Sequence, residues 1–198
     1  LLAKDYPKEH MPYAMLNAVA RMTSDQEKSL KILKRLAALD ETNPQILRII
    51  SQAKGEIKKR EALGKPLEMK FTALDGREVD VSQMKGKVIL IDFWATWCGP
   101  CIREIPSVKK TYEEMNAKGF EIIGISLDSD KGKLEDFISK NDMPWPQFFD
   151  GKGWKTSLAQ EHGISSIPAM WLVDKDGNLV DQNARSDLEA KVMEYLAM

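Results

Sequence analysis

Cysteine and histidine are scarce in this sequence, with two of each among 198 residues. Two cysteines cannot build a disulfide-stapled miniprotein or a four-cysteine zinc site, and His10 and His162 are the only histidines. Net charge is missing as well. Lys and Arg number 29 against 30 Asp and Glu, so nothing electrostatic draws the chain to nucleic acid or to an anionic membrane surface. Long apolar runs are also absent. The longest, such as Val88-Ile89-Leu90-Ile91, are of strand length and far short of the roughly 18 residues a spanning helix needs. Hydrophobic residues still make up 43% of the chain, enough for a real core and too many for a disordered one. This balance describes a soluble globular protein of one or two domains with a single thiol pair. Residue 1 is Leu, so the chain reads as a mature or truncated one from which any export signal has gone, and membrane tethering through a preceding segment stays open.

Residues 1–64 read as helical. Apolar residues recur at three- and four-residue steps: Met11, Met15, Ala18, Val19 and Met22, then Leu30, Leu33, Leu36 and Ala37, then Ile46, Leu47, Ile50, Ala53 and Ile57. Thr23-Ser24-Asp25 offers capping oxygens ahead of the second run, and Asn43-Pro44 places a cap before a proline at the first helical position. Gly64-Lys65-Pro66 ends the region. No period near the roughly 34 residues of a helical repeat is visible, so a small bundle or arm, packed on itself or on a partner, is expected.

Past Pro66 the pattern changes. Met69 to Ala73 and Glu78 to Val81, with Asp75-Gly76 between them, suggest a hairpin. Lys87 to Phe93 is a continuous apolar run, the mark of a buried central strand. A helix from about Gly99 to Lys118, a strand from Phe120 to Leu127, and helices over Lys131 to Asn141 and Trp154 to His162 follow. Ala169 to Val173 and Leu179 to Asp181, separated by Asp176-Gly177, form a second hairpin, and Ser186 to Met198 an amphipathic helix. Strands alternating with helices and ending in a hairpin plus helix predict an α/β domain with a mixed sheet over residues 66–198.

Both cysteines fall in Trp97-Cys98-Gly99-Pro100-Cys101, where the buried strand turns into a helix. One turn of helix brings the two sulfurs within bonding reach. The first sits beside the unpaired amides of the helix N-terminus, which favour thiolate over thiol, while the second is held further back to attack a mixed disulfide. Gly99 keeps the approach open, and Pro100 occupies the first turn, where its missing N–H costs nothing. Half a zinc site would find no other cysteine and only His10 and His162 as histidines, and haem attachment needs a histidine where Ile102 stands. Two buried structural cysteines would not need the strand–turn–helix placement. The pattern therefore points to redox chemistry.

The segment Asp92-Phe93-Trp94-Ala95-Thr96-Trp97-Cys98-Gly99-Pro100-Cys101 resembles the active-site stretch of the thioredoxin superfamily. Pro106 matches that family's helix-kinking proline, Gly163-Ile164-Ser165-Ser166-Ile167-Pro168-Ala169 its cis-proline loop, and Val173-Asp174-Lys175-Asp176-Gly177 its terminal hairpin. Cys101-Ile102-Arg103-Glu104-Ile105-Pro106 is similar to the TlpA/ResA branch of bacterial thiol-disulfide oxidoreductases. So are the leading hairpin and the stretch from Asp128 to Gly163, which has room for an inserted strand and helix. The resemblance implies a thioredoxin-like fold over residues 66–198, disulfide exchange through Cys98 and Cys101, and no bound cofactor or metal. It implies protein disulfides as substrates, an upstream thiol reductant, and a periplasmic or otherwise extracytoplasmic setting, with the cytoplasm as the alternative. It says nothing of residues 1–64, which leaves open a helical partner-recruiting module with the redox domain as its accessory. A peroxiredoxin-like peroxidase is the remoter alternative: its Pro-x-x-x-Thr-x-x-Cys site is not matched, because Thr96 stands two residues before Cys98.

Further site residues follow from the resemblance and from local chemistry together. Asp92 lies mid-strand among apolar residues, where burial would raise its pKa and let it exchange a proton with Cys101. Glu104 follows Cys101 by one helical turn, able to point back toward the sulfurs and tune them. A cis bond before Pro168 would turn the backbone of Ile167 toward an incoming partner strand. Trp97 is expected to shield the disulfide and Trp94 to be structural, whereas Trp145 and Trp154 either line a partner groove or pack the core.

Overall fold

The computed structural model describes residues 10–198, so the part of the helical expectation that falls on residues 1–9 lies outside the described residues. The chain divides between Glu61 and Ala62 into two compact units.

The first unit holds helices α1 (His10–Met22) and α2 (Gln26–Ala37) and almost all of α3 (Pro44–Ala62). The caps fall where the sequence puts them: the Asp25 carboxylate accepts from the Lys28 amide at 2.9 Å, and the Asn43 side chain accepts from the Gln45 amide at 2.9 Å. Leu33 and Leu36 of α2 and Ile46, Ile49, Ile50 and Ala53 of α3 form a shared core with Tyr13 and Ala20. On α1 the expected apolar stripe is not the packing face. Met11, Met15, Val19 and Met22 are exposed, and Tyr13, Asn17 and Ala20 are buried instead. The physical reason is that α1 carries apolar residues around most of its circumference, so periodicity does not single out one face. Polar ties make the choice: Asn17 donates to Gln52 Oε1 at 3.0 Å, and the buried Ser29 hydroxyl donates to the Ala20 carbonyl while accepting from Arg60 at 2.8 Å.

The second unit is a thioredoxin-like domain. An antiparallel hairpin, β1 (Lys70–Thr72) and β2 (Glu78–Asp80), pairs Phe71 with Val79 and precedes a five-stranded mixed sheet. That sheet runs β5 (Gln147–Phe148), β4 (Phe120–Ser126), β3 (Val88–Trp94), β6 (Ala169–Val173), β7 (Leu179–Asp181). The apolar run of β3 is buried along its whole length, as a central strand with covered faces requires. It pairs in parallel with β4 and antiparallel with β6. Helices α4 (Gly99–Met115), α5 (Lys131–Lys140), α6 (Ser157–Glu161) and α7 (Leu188–Ala197) complete the domain. The inserted strand and helix are β5 and α5, and Pro106 lies inside α4.

One packing arrangement ties the inserted strand to the site. Gln147 of β5 accepts from the Trp94 indole at 2.9 Å, and its carboxamide lies across Gly124, where a Cβ would stand 1.9 Å from Oε1. Gly124→Ala must therefore push Gln147 aside and strip the buried Trp94 N–H of its acceptor. A destabilisation of about 3 kcal/mol is expected. A denaturant melt with an unchanged midpoint would show that Gln147 can move freely.

Candidate active site

The site stands at the C-terminal end of β3, where the chain turns into α4. Cys98 is the N-cap of α4, and its Sγ accepts from the Cys101 amide at 3.2 Å. Cys98 and Cys101 are joined as a disulfide with Cα atoms 5.2 Å apart, and both residues are buried. Gly99 and Pro100 open the helix and are exposed. A Cβ on Gly99 would meet only Arg103 at 3.7 Å, an ordinary contact, so the chain's own packing does not demand glycine there.

The loop before Cys98 is gripped by an acid that sequence reasoning did not single out. Asp128, just past the end of β4, is buried and accepts from the Thr96 amide at 3.0 Å, the Thr96 hydroxyl at 2.6 Å and the Ser126 hydroxyl at 2.8 Å. The Thr96 hydroxyl has one hydrogen to donate and gives it to Asp128, so it is not the cysteine-activating threonine of a peroxidatic site. The signal available in the sequence was slight: an acid two residues after a strand-ending serine, at the same edge of the sheet as Thr96.

Asp92 sits in mid-β3 with Gly124 and Met170 as its neighbours across the sheet. It is 6% exposed, and its Oδ1 has no hydrogen-bond partner. Burial pushes its pKa up to about 7, and the charge of Glu104 adds to the rise. Glu104 reaches from α4 to Arg185, in the segment after β7, whose Nε donates to its Oε1. The other oxygen, Oε2, is buried and without a partner. The two acids proposed from the sequence thus come together electrostatically, and Arg185 joins them unannounced.

The aromatic side chains divide. Trp94 is buried, as expected, and Trp145 is core, packed edge-on against Tyr112 at 5.4 Å. Trp97 is 54% exposed and Trp154 44%, with ring centroids 6.1 Å apart. The Ile167–Pro168 bond is cis, and both residues are partly buried. Because Ala169 pairs with Phe93, Pro168 lies alongside Trp94, at the strand end from which the Cys98 loop leaves. Among the described residues no group of three or more His, Cys, Asp or Glu side chains could hold a metal ion, and no helix is long and apolar enough to cross a membrane.

Comparison with known proteins agrees with this geometry. Residues 52–197 match the Redoxin family. Over 125 residues the chain is 30% identical to the thiol-disulfide oxidoreductase ResA of Bacillus thuringiensis subsp. konkukian, covering 63% of this chain and 70% of that one. ResA of Bacillus subtilis is 24% identical over 122 residues, 62% of this chain and 66% of that one. Among solved structures, the thioredoxin domain of a Bacteroides vulgatus thiol-disulfide oxidoreductase is 30% identical with a TM-score of 0.61, covering 68% of this chain and 98% of that one. A thiol:disulfide interchange protein from Bacteroides sp. is also 30% identical, with a TM-score of 0.58 over 69% of this chain and 91% of that one.

Proposed function

Because the chain belongs to the Redoxin family and is a ResA-like thiol-disulfide oxidoreductase, we propose that it reduces disulfides in extracytoplasmic protein partners and is recharged by an upstream thiol reductant. The observation that carries this reading is the disulfide at the head of α4, with Cys98 Sγ on the helix N-terminus and a buried acid in the adjoining strand. In the reduced protein the Cys98 thiolate attacks a partner disulfide and expels one partner thiolate, forming a mixed disulfide. Asp92 as carboxylate takes the proton of Cys101. The Cys101 thiolate then attacks Cys98 Sγ, which releases the second partner thiolate and closes the Cys98–Cys101 disulfide. Two electrons leave the protein in each cycle, and sulfur alone carries them.

Trp97, the residue before Cys98, and Trp154 against it present apolar surface, and Ile167 with Pro168 offers backbone at the strand end from which the Cys98 loop leaves, features suited to an extended peptide partner. Gly99 and Pro100, exposed between the cysteines, complete the contact surface. The separate core of α1 to α3 supports treating the helical region of residues 1–64 as a unit distinct from the redox domain of residues 66–198.

The test is insulin reduction by the full chain with dithiothreitol, together with a potential measured in thiol redox buffers. Gly99-Pro100 and Ile167 match the reducing members of the superfamily, so the potential is expected nearer thioredoxin's value of about −270 mV than the about −120 mV of a strong oxidase. A value above about −180 mV would reverse the direction of flow.

A further inference from the structure

We propose that Arg185 is a positioning residue of the exchange site: by holding one oxygen of Glu104 at the mouth of a cavity, it keeps the other turned inward toward Asp92. The cavity, of about 390 Å³, is lined by Glu104, Val108, Met170, Asn183, Arg185 and Leu188. Met170 is the residue paired across the sheet with Asp92, so this cavity reaches the strand pair that carries the buried acid. Glu104 enters it from α4 and Arg185 from the segment after β7, and the Arg185 Nε donates to Glu104 Oε1.

Two atoms make the arrangement unusual. Glu104 Oε2 and Asp92 Oδ1 are both buried without a hydrogen-bond partner. A carboxylate oxygen left bare costs free energy that rehydration would recover, and the Glu104 side chain, 20% exposed at the cavity mouth, has solvent within reach. The ion pair with Arg185 opposes that outward swing. Guanidinium suits the task because it stays charged and its N–H makes a charge-assisted bond to the one oxygen it holds, Oε1.

The groups around Asp92 make the consequence specific. Its neighbours on β4 and β6, Gly124 and Met170, do not titrate. From α4 come Glu104 and Cys101, the latter locked in the disulfide. On the side of α7, Leu188 lines the cavity, while Glu189 is paired with Lys110. Glu104 is the charge that bears on Asp92, and where its carboxylate sits sets how strongly Asp92 holds its proton. Without Arg185, Glu104 turns to water, Asp92 loses its negative neighbour, and Asp92 ionises more readily. The effect on turnover rests on the proposed proton role of Asp92; the positioning itself does not.

The experiment is a carboxyl ¹³C NMR titration of Asp92 in the oxidised full chain. Arg185→Gln is expected to lower the Asp92 midpoint by about half a pH unit or more, a charge effect discounted for the partial exposure of Glu104. Glu104→Gln should lower it too, the double variant should go no lower than Glu104→Gln alone, and Arg185→Lys should recover at least half of the loss. If Arg185→Gln does not fold, Arg185→Lys still gives a fall of the same sign and smaller size. An unchanged midpoint in these Arg185 variants overturns the inference. A raised midpoint overturns it as well, because Arg185 would then act as a bare cation on a Glu104 that never moved. The pH profile of mixed-disulfide resolution separates this from the wider reading. If the Asp92 midpoint falls while that profile stays put, Arg185 positions Glu104 as argued and Asp92 is not the proton carrier.

Discussion

Cys98→Ser is expected to abolish insulin reduction, by about 1,000-fold or more, which corresponds to about 4 kcal/mol in the barrier. Cys101→Ser should also stop turnover, but by a different route: it should accumulate a mixed disulfide with the partner, visible on a non-reducing gel. The asymmetry follows from the helix. Cys98 Sγ caps α4 and accepts from the Cys101 amide, so the partial positive charge of the helix N-terminus falls on that sulfur and stabilises its thiolate. Cys101, inside the first turn, has no such position, and its part is to attack from behind. In the reduced protein iodoacetamide should therefore label Cys98 before Cys101 at pH 7. Faster labelling of Cys101, or a trapped complex with Cys98→Ser and none with Cys101→Ser, would exchange the two roles.

The parts of this site that the sequence announces share a property: their chemistry depends on neighbours along the chain. Cys98 and Cys101 are three residues apart on one helical turn, the β3 run is apolar throughout, and an acid inside such a run must be either buried or misplaced. Asp92 could be singled out for that reason alone. The parts that stayed hidden depend on contacts across the fold. Asp128 meets Thr96 because β3 and β4 are parallel neighbours in register, Trp94 opposite Ser126, which brings their C-terminal ends together. Arg185 meets Glu104 only because the segment after β7 comes to lie against α4. Nothing local marks Arg185 among the many exposed cations. The strand β5 shows in the sequence only as room for an insertion, since two residues are too few for any period to show. On α1 the failure is of another kind: apolar residues on nearly every side left the choice of face to Asn17 and Ala20, one polar and one small.

Asp92→Asn is expected to change both stability and rate, and the pH dependence of the first identifies the cause. In the folded protein Asp92 holds its proton up to about pH 7, against an ordinary value of 3.8. Between those two values the folded state binds more protons at this position than the unfolded state does, so stability falls as pH rises through the window. The full loss, reached above pH 7, is on the order of 4 kcal/mol. Asparagine cannot ionise and removes that slope, although its amide brings a pH-independent cost of its own in a site where Oδ1 finds no partner. The measurement is thus the difference in unfolding free energy between pH 4 and pH 8, which should be several kcal/mol smaller in Asp92→Asn than in the parent. Resolution of the mixed disulfide should slow by about 10²-fold, the usual worth of a positioned proton acceptor. Glu104→Gln removes a negative charge near the site instead, so it should lower the pH at which Asp92 ionises and flatten part of the same slope while leaving resolution working. Parallel stability curves for parent and Asp92→Asn would mean that Asp92 is not held protonated by burial. If, besides, Glu104→Gln cripples turnover and Asp92→Asn does not, the proton acceptor of this site is Glu104, and Asp92 is a structural acid of β3.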